Sequence, residues 1–182
     1  MRQGECARAV YIVASGALIL RERRVGGRER VVGFRLPGEL VGLEARARGA
    51  YSYTARALLA TSVCLLNLPS AGGASVSNAL LERLLLKCAA QHDISAPWQG
   101  LPASERVAAF VEDFARRTQQ GEDVRGPIRL PMTRGDIGSY LGLAEETVVR
   151  SLRRLSSGPR LRVLGRTVWL GEAQAKTAVS VS

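Results

Sequence analysis

The stretch from Thr133 to Leu170 constrains the fold most. Thr133-Arg134-Gly135-Asp136 reads as a capping box, with Asp136 in the N3 place more usually held by Glu or Gln. It opens a helix carrying Ile137 and Leu141, which Gly142 stops. A second helix, from about Glu145 to Leu155, has Val148, Leu152 and Leu155 at the spacing of one buried stripe. Ser156–Pro159 then turns the chain, and Leu161–Leu164, Gly165-Arg166 and Val168–Leu170 read as a β-hairpin. Two short helices across a tight turn, followed by a hairpin, make a winged helix-turn-helix.

With its stripe turned inward, the second helix exposes Glu145, Glu146, Val149, Arg150 and Arg153. Residues 150–166 hold six arginines (150, 153, 154, 160, 162 and 166) and no acid. The whole chain has 26 Lys plus Arg against 16 Asp plus Glu, a formal net charge of +10, and its lysines are Lys87 and Lys176 alone. Nearly all the positive charge is therefore planar guanidinium, which matches phosphates and base edges. Such clusters usually form a solvated face. Here the cluster lies on the one helix shaped to enter a major groove, which points to double-stranded DNA. Glu146 and Arg150 lie four apart and can orient each other as an ion pair. Arginine forks onto O6 and N7 of guanine and a carboxylate accepts from cytosine N4, so the pair suits a G·C step. Val149, between them, offers only apolar contact, for which a thymine methyl is the complement. Arg153, Arg154, Arg160, Arg162 and Arg166, with Thr133, are expected on phosphates, which set affinity and register rather than sequence.

The rest of the chain divides by charge and period. Over residues 1–70, 11 basic and 5 acidic residues accompany short apolar runs: Val10–Val13, Ala17–Leu20, Val31–Phe34, Leu40–Leu43, Ala55–Leu59 and Val63–Leu66. Gly16 and Pro37-Gly38 mark tight turns, and Val25-Gly26-Gly27-Arg28 is a two-residue hairpin signal. This texture is that of an all-β sandwich, roll or barrel. Over 71–98, Leu80, Leu81, Leu84, Leu85 and Cys88 form a helical stripe. It either packs on its own β domain or pairs symmetrically with a second copy. Beside a helix-turn-helix the homodimer is the expectation, with Leu81, Leu84 and Cys88 at the interface. Residues 99–171 carry the winged helix-turn-helix, preceded by a helix that Ser104 is expected to cap, with Val107, Phe110, Val111 and Phe114 on its apolar face. Residues 172–182 form a tail. Arg2 and Arg8 before the run Ala9–Leu20 superficially resemble a signal peptide. The run is too short to span a membrane and has no good cleavage site, so no membrane association is expected. Three scattered cysteines form no disulfide framework and place the chain in a reducing cytoplasm.

The stretch Met132-Thr133-Arg134-Gly135-Asp136-Ile137-Gly138-Ser139-Tyr140-Leu141-Gly142-Leu143, followed by Glu146-Thr147-Val148-Val149-Arg150, resembles the helix-turn-helix of the Crp/Fnr superfamily of bacterial transcription regulators. Independently, Tyr11-Ile12-Val13-Ala14-Ser15-Gly16-Ala17 and Val32-Gly33-Phe34-Arg35-Leu36-Pro37-Gly38-Glu39-Leu40-Val41-Gly42-Leu43 resemble its sensory β-roll, and especially the Fnr branch. The resemblance covers residues 1–171 in family order and implies an α+β chain. A cyclic-nucleotide-binding-like β-roll comes first, then a long dimerisation helix, then the winged helix-turn-helix. It further implies a non-enzymatic regulator binding a palindromic promoter site as a homodimer, with RNA polymerase as a partner. The Fnr branch carries E-x-x-S-R on its recognition helix and reads a TTGAT-type half-site. Here Val149 replaces the serine, and Ala144 stands where a capping threonine is common. The roll resembles one entered after its first strands, through truncation or a misplaced start, which leaves a sheet edge open.

The resemblance also bears on what the roll senses. Cyclic-AMP-binding relatives pair a G-E-L turn with an R-[ST]-A segment whose arginine holds the phosphate. Gly38-Glu39-Leu40 is present, but Tyr53-Thr54-Ala55 lacks the arginine. Arg56, three places on, faces the opposite side of a strand, so cAMP is not expected. Cys64 falls where Fnr-type sensors place one cluster ligand; as a residue it reads as a small buried apolar group. A [4Fe-4S] cluster needs four thiolates and the chain has Cys6, Cys64 and Cys88, so a cluster requires cysteines from a longer N-terminus. A cupin-like metal or small-molecule enzyme on the roll is the alternative from another class, opposed by the single histidine, His92. A DNA-binding module with a ligand-free, degenerate roll is the other.

Overall fold

The computed structural model describes residues 1–7, 9–66, 98, 100–119 and 126–171. The chain divides into two compact units, Met1–Ala96 and Pro97–Ser182. The helix expected over 71–98, with Leu81, Leu84 and Cys88, and the tail over 172–182 lie outside the described residues but for Trp98.

The first unit is built on strands β1 (Val10–Ser15), β2 (Leu18–Arg23), β3 (Glu29–Arg35), β4 (Leu40–Val41), β5 (Thr54–Ala57) and β6 (Ser62–Leu66). Each falls on one of the apolar runs. They form two antiparallel sheets, ordered β4-β1-β6 and β3-β2-β5. Val13 and Val41 from the first sheet and Leu18 and Leu20 from the second meet in one buried cluster. Gly16 does not make a hairpin, because β1 and β2 belong to different sheets. It carries the chain across at φ +85°, with no room for a side chain against Ala60 O and Thr61 Oγ1. Pro37-Gly38 forms the expected turn: Glu39 N donates to Leu36 O at 3.0 Å, with Gly38 at φ +88°. The β2–β3 loop is one residue longer than the glycine pair suggests. Arg24 N bonds Arg28 O, so Val25, Gly26 and Gly27 all lie in the loop. A short helix, α1 (Glu44–Arg48), follows β4 where the apolar run ends, closed by Gly49 in the left-handed region.

The second unit comprises α2 (Ala103–Gln119), β7 (Ile128–Arg129), α3 (Arg134–Leu141), α4 (Glu145–Ser156), β8 (Leu161–Leu164) and β9 (Thr167–Leu170), with the strands ordered β7-β9-β8. Helix α2 begins at Ala103, so Ser104 lies inside the first turn rather than capping it. Its expected apolar face is buried: Val107, Phe110, Val111 and Phe114. Phe110 stands 5.8 Å from Tyr140 of α3 and 6.0 Å from Phe114, centroid to centroid, and Trp98 closes on Phe110 and Tyr140 edge-on. Ile128 of β7, Ile137 of α3, Val148 of α4, Leu161 of β8 and Val168 of β9 complete the core, with Leu130 and Met132 from the segment between β7 and α3.

Replacing Gly16 with alanine forces a side chain into a left-handed position already filled by backbone. A loss of more than about 1 kcal/mol is expected, measured as a lower urea midpoint of unfolding. An unchanged midpoint would mean that the crossing between sheets tolerates rearrangement.

Candidate nucleic-acid interface

The capping box closes the start of α3 from both directions. Thr133 Oγ1 accepts from Asp136 N at 3.0 Å, and Asp136 Oδ2 accepts from Thr133 N at 2.9 Å. The Thr133 hydroxyl also donates to Asp136 Oδ2 at 2.8 Å. Its single proton is thus committed to the cap, and a phosphate contact by this hydroxyl requires that bond to open.

The far end of α3 sets the turn. Gly142 takes φ +69°, and its N–H and that of Leu143 both donate to Gly138 O, the latter at 2.8 Å. A Cβ on Gly138 would stand 2.6 Å from Leu143 O, so the turn folds onto α3 only because residue 138 has no side chain. Helix α4 then starts from Ala144, which offers no side-chain cap, with Glu145 and Glu146 in the first turn.

Helix α4 buries Val148 and Leu152 as expected, but Leu155 is only half-buried and Ser151 takes the third buried place. Glu146, Arg150, Arg153 and Arg154 are exposed. Among the described residues, neither Glu146 nor Arg150 has an ion pair. The two do not orient each other in the free protein, contrary to the expectation from their spacing. Val149 is half-buried and lines a cleft of about 570 Å³ with Arg134, Arg153, Val163 and Gly165, where the helix flank meets the hairpin.

The hairpin is a two-residue turn at Gly165-Arg166, with Leu164 opposite Thr167 and Arg162 opposite Trp169. The Arg162 guanidinium lies 5.5 Å from the Trp169 ring centroid and is exposed, so its charge faces solvent. Arg166 is also exposed and donates to Pro131 O at 3.5 Å. Arg134, which in the sequence is only part of the capping motif, donates Nη2 to Gly165 O and so ties the turn to the start of α3. Burial, and then the nearby Arg166, lower the pKa of its guanidinium.

Arg160 differs from its neighbours. Its Nε and Nη2 reach the two oxygens of Glu112 at 2.7 and 3.3 Å, and Nη1 reaches Glu105 Oε2 at 2.6 Å. The hydrogen bonds to Glu112, followed by those to Glu105, raise its pKa and keep it charged. The expectation that Arg160 binds phosphate is corrected accordingly, because two carboxylates already take three of its N–H donors. Sequence spacing gave no signal of this, the partners being 48 and 55 residues away.

In the first unit, the residues compared with a nucleotide site are engaged internally. Buried Glu39 accepts from Leu36 N at 3.1 Å through its carboxylate. The Tyr53 hydroxyl donates to Glu44 Oε2 at 2.7 Å and accepts from Gly42 N at 3.3 Å; burial, and then Glu44, raise its pKa. Arg35 donates to Leu40 O and Phe34 O, and Arg56 is exposed on β5. Cys64, expected to be a buried apolar group, is instead exposed on the edge strand β6, with Val63 and Leu65 exposed beside it. Cys6 is also free and exposed. The chain's three cysteines are one short of a four-thiolate cluster, so the residues present do not fit one. Among the described residues no three His, Cys, Asp or Glu side chains converge as metal ligands. None of the described helices is long and apolar enough to cross a membrane.

A capped helix, a glycine turn, a second helix exposing arginines and a hairpin beside it define a winged helix-turn-helix domain of the DNA-binding class. Comparison with known proteins places it further. Residues 105–169 match the Crp-like helix-turn-helix domain, and residues 1–71 match the cyclic nucleotide-binding domain. The chain is 36% identical over 173 residues to the transcriptional activator protein FnrA of Stutzerimonas stutzeri, covering 92% of this chain and 70% of that one. It is 31% identical to the fumarate and nitrate reduction regulatory protein of Escherichia coli (strain K12), covering 92% of this chain and 69% of that one. The structure of FixK2 from Bradyrhizobium japonicum superposes with a TM-score of 0.80 at 32% identity, over 100% of this chain and 92% of that one. The chain belongs to the Crp/Fnr family of DNA-binding transcription regulators.

Replacing Gly138 with alanine should lower the thermal midpoint and abolish duplex binding, since the new methyl collides with the carbonyl of the turn. The cost exceeds about 1 kcal/mol, the scale of overpacking at a closed site. Unchanged melting and binding would show that α3 and the turn separate freely.

Proposed function

We propose that this regulator binds a palindromic promoter site as a homodimer in the cytoplasm, reading one half-site with each copy and engaging RNA polymerase. The observation that carries the reading is the exposed row Glu146, Arg150, Arg153 and Arg154 on a helix whose opposite face is buried. Arg150 and Glu146 read a G·C pair, Arg150 by forking onto guanine and Glu146 by accepting from cytosine. Neither is held by the other, so both are available to the bases. Arg153, Arg154, Arg162 and Arg166 supply phosphate contacts.

The roll is read as taking no cyclic nucleotide, since Tyr53 brings no positive charge to a cyclic phosphate. The internal engagement of Glu39 and Tyr53 favours the second reading, a DNA-binding module whose roll is ligand-free. A [4Fe-4S] cluster would take at least one thiolate beyond the three in this sequence. The lone His92, which lies outside the described residues, gives a cupin-like metal enzyme no set of imidazoles.

Selection from randomised half-sites tests the base reading. Arg150→Ala should cost about 1–3 kcal/mol per half-site at a guanine-containing position and relax the preference there. Arg162→Ala should weaken all sequences alike and flatten the salt dependence. If both variants lost affinity by one sequence-independent factor, Arg150 would have no base-reading role. Val149→Ser should shift the enriched sequences toward TTGAT, and identical sequences from both versions would exclude position 149 from readout.

A further inference from the structure

Arg160 sits where three pieces of chain meet. Helix α4 ends at Ser156, the wing begins at Leu161, and the returning strand closes on the same point, with Gly171 N donating to Arg160 O at 2.9 Å. Residue 171 has no space for a side chain, because a Cβ there would overlap Pro159 O. From this junction the Arg160 side chain runs to α2. Glu105 and Glu112 are seven residues apart, two helical turns on one stripe, and the planar guanidinium spans both. Glu112 takes the fork at 2.7 and 3.3 Å and Glu105 the remaining arm at 2.6 Å.

The bonds at this point decide its role. Three of the Arg160 N–H groups are directed at two carboxylates. A fork on one carboxylate and a third bond to another leave the guanidinium a single orientation. Side-chain exposure is 13% for Glu112 and 31% for Arg160, so the Glu112 bonds are the more sheltered part of the cluster.

We infer that Arg160 is a positioning residue for DNA binding: with Glu112 and Glu105 it clamps the base of the wing to α2 and sets the angle between wing and recognition helix. This rests on the DNA-binding reading above and adds a residue that touches no DNA. Without the clamp, the wing arginines address the duplex from a wider range of orientations, and ordering them becomes part of binding.

Fluorescence anisotropy against a palindromic duplex of the half-site that the selection enriches for wild type, over a salt series, tests this with wild type, Arg160→Ala, Arg160→Lys, Glu112→Gln and Arg162→Ala. Arg160→Ala and Glu112→Gln should both weaken binding, on the order of tenfold, the scale of a lost supporting contact. The slope of log K against log salt should stay that of wild type. Arg162→Ala should lower the slope by about one per half-site. Arg160→Lys should recover part of the affinity, since it keeps the charge but not the fork. It also tests the clamp if Arg160→Ala does not fold. Removing an acid at Glu112 would tighten binding if Arg160 were a phosphate contact, so the sign of that variant is decisive. Tighter binding by Glu112→Gln, a reduced slope in Arg160→Ala, or wild-type affinity in Arg160→Ala would each overturn the inference. If wild type bound no duplex, the DNA reading itself would fall. The clamp would then be judged by the unfolding midpoint, lowered by Arg160→Ala and partly restored by Arg160→Lys.

Discussion

The recognition helix can leave α3 at its observed angle only because the backbone of the turn comes down onto the bare Cα of Gly138. The Leu143 carbonyl lies where a side chain would be, and the Gly138 carbonyl receives the N–H groups of Gly142 and Leu143 in return. That contact fixes where α4 begins, and so which residues face inward. Val148 and Leu152 fall on the core, and Glu146 and Arg150 fall outside. The same device recurs elsewhere. Gly16 lets one sheet of the first unit hand the chain to the other, and Gly171 lets the base of the wing close on Pro159. At each of these points two segments meet through backbone, which only glycine permits.

Net charge describes this molecule poorly, because its arginines serve two unlike purposes. Arg106 donates to Leu101 O and Leu141 O, joining the start of α2 to the end of α3. Arg134 holds the wing turn, Arg160 the wing base, and Arg35 the strand ends around Leu40. These guanidiniums do the work of structural donors, each bonded to backbone carbonyls or to carboxylates of other elements. Arg150, Arg153 and Arg154 have no ion pair among the described residues and lie on the outer face of α4. Exposure follows this division: Arg35 is buried and Arg106, Arg134 and Arg160 are half-buried, whereas Arg150, Arg153 and Arg154 are exposed.

Features that depend on a few neighbouring residues are mostly legible in the sequence. The capping box, the stop at Gly142, the Gly165-Arg166 turn and the strands of the first unit all rest on spacing or turn chemistry within a few positions. Two local expectations differ from the structure, since Ser104 lies inside α2 and the β2–β3 loop holds three residues; the other differences lie where a distant partner decides. Ser151 shares the inward stripe with Val148 and Leu152, while Leu155, next to the end of α4, is only half-buried. Gly16 looks like a hairpin residue until the two strands are known to belong to different sheets. Cys64 and its neighbours carry the composition of a buried strand but stand on a sheet edge. Arg160 sits within an acid-free run of sequence, and its acids come from a helix some fifty residues earlier.

The wing is held at both ends by arginines that reach different helices. At its turn, Gly165 O is bonded by Arg134 from α3; at its base, Arg160 is bonded to α2. Between them Val149 of α4 and Val163 of the wing line the same cleft. A hairpin of two four-residue strands has little intrinsic stability, so its orientation comes from such attachments together with the pairing of β9 with β7. Fixing it during folding means the ordering entropy of the wing is lost then, and not when a duplex arrives. Position 149 enters this balance as well. A valine there lines the cleft with methyl groups, where a serine would bring a hydroxyl in need of a partner. Its side chain therefore packs beside the wing, and a serine in its place would alter the packing of this cleft together with its chemistry.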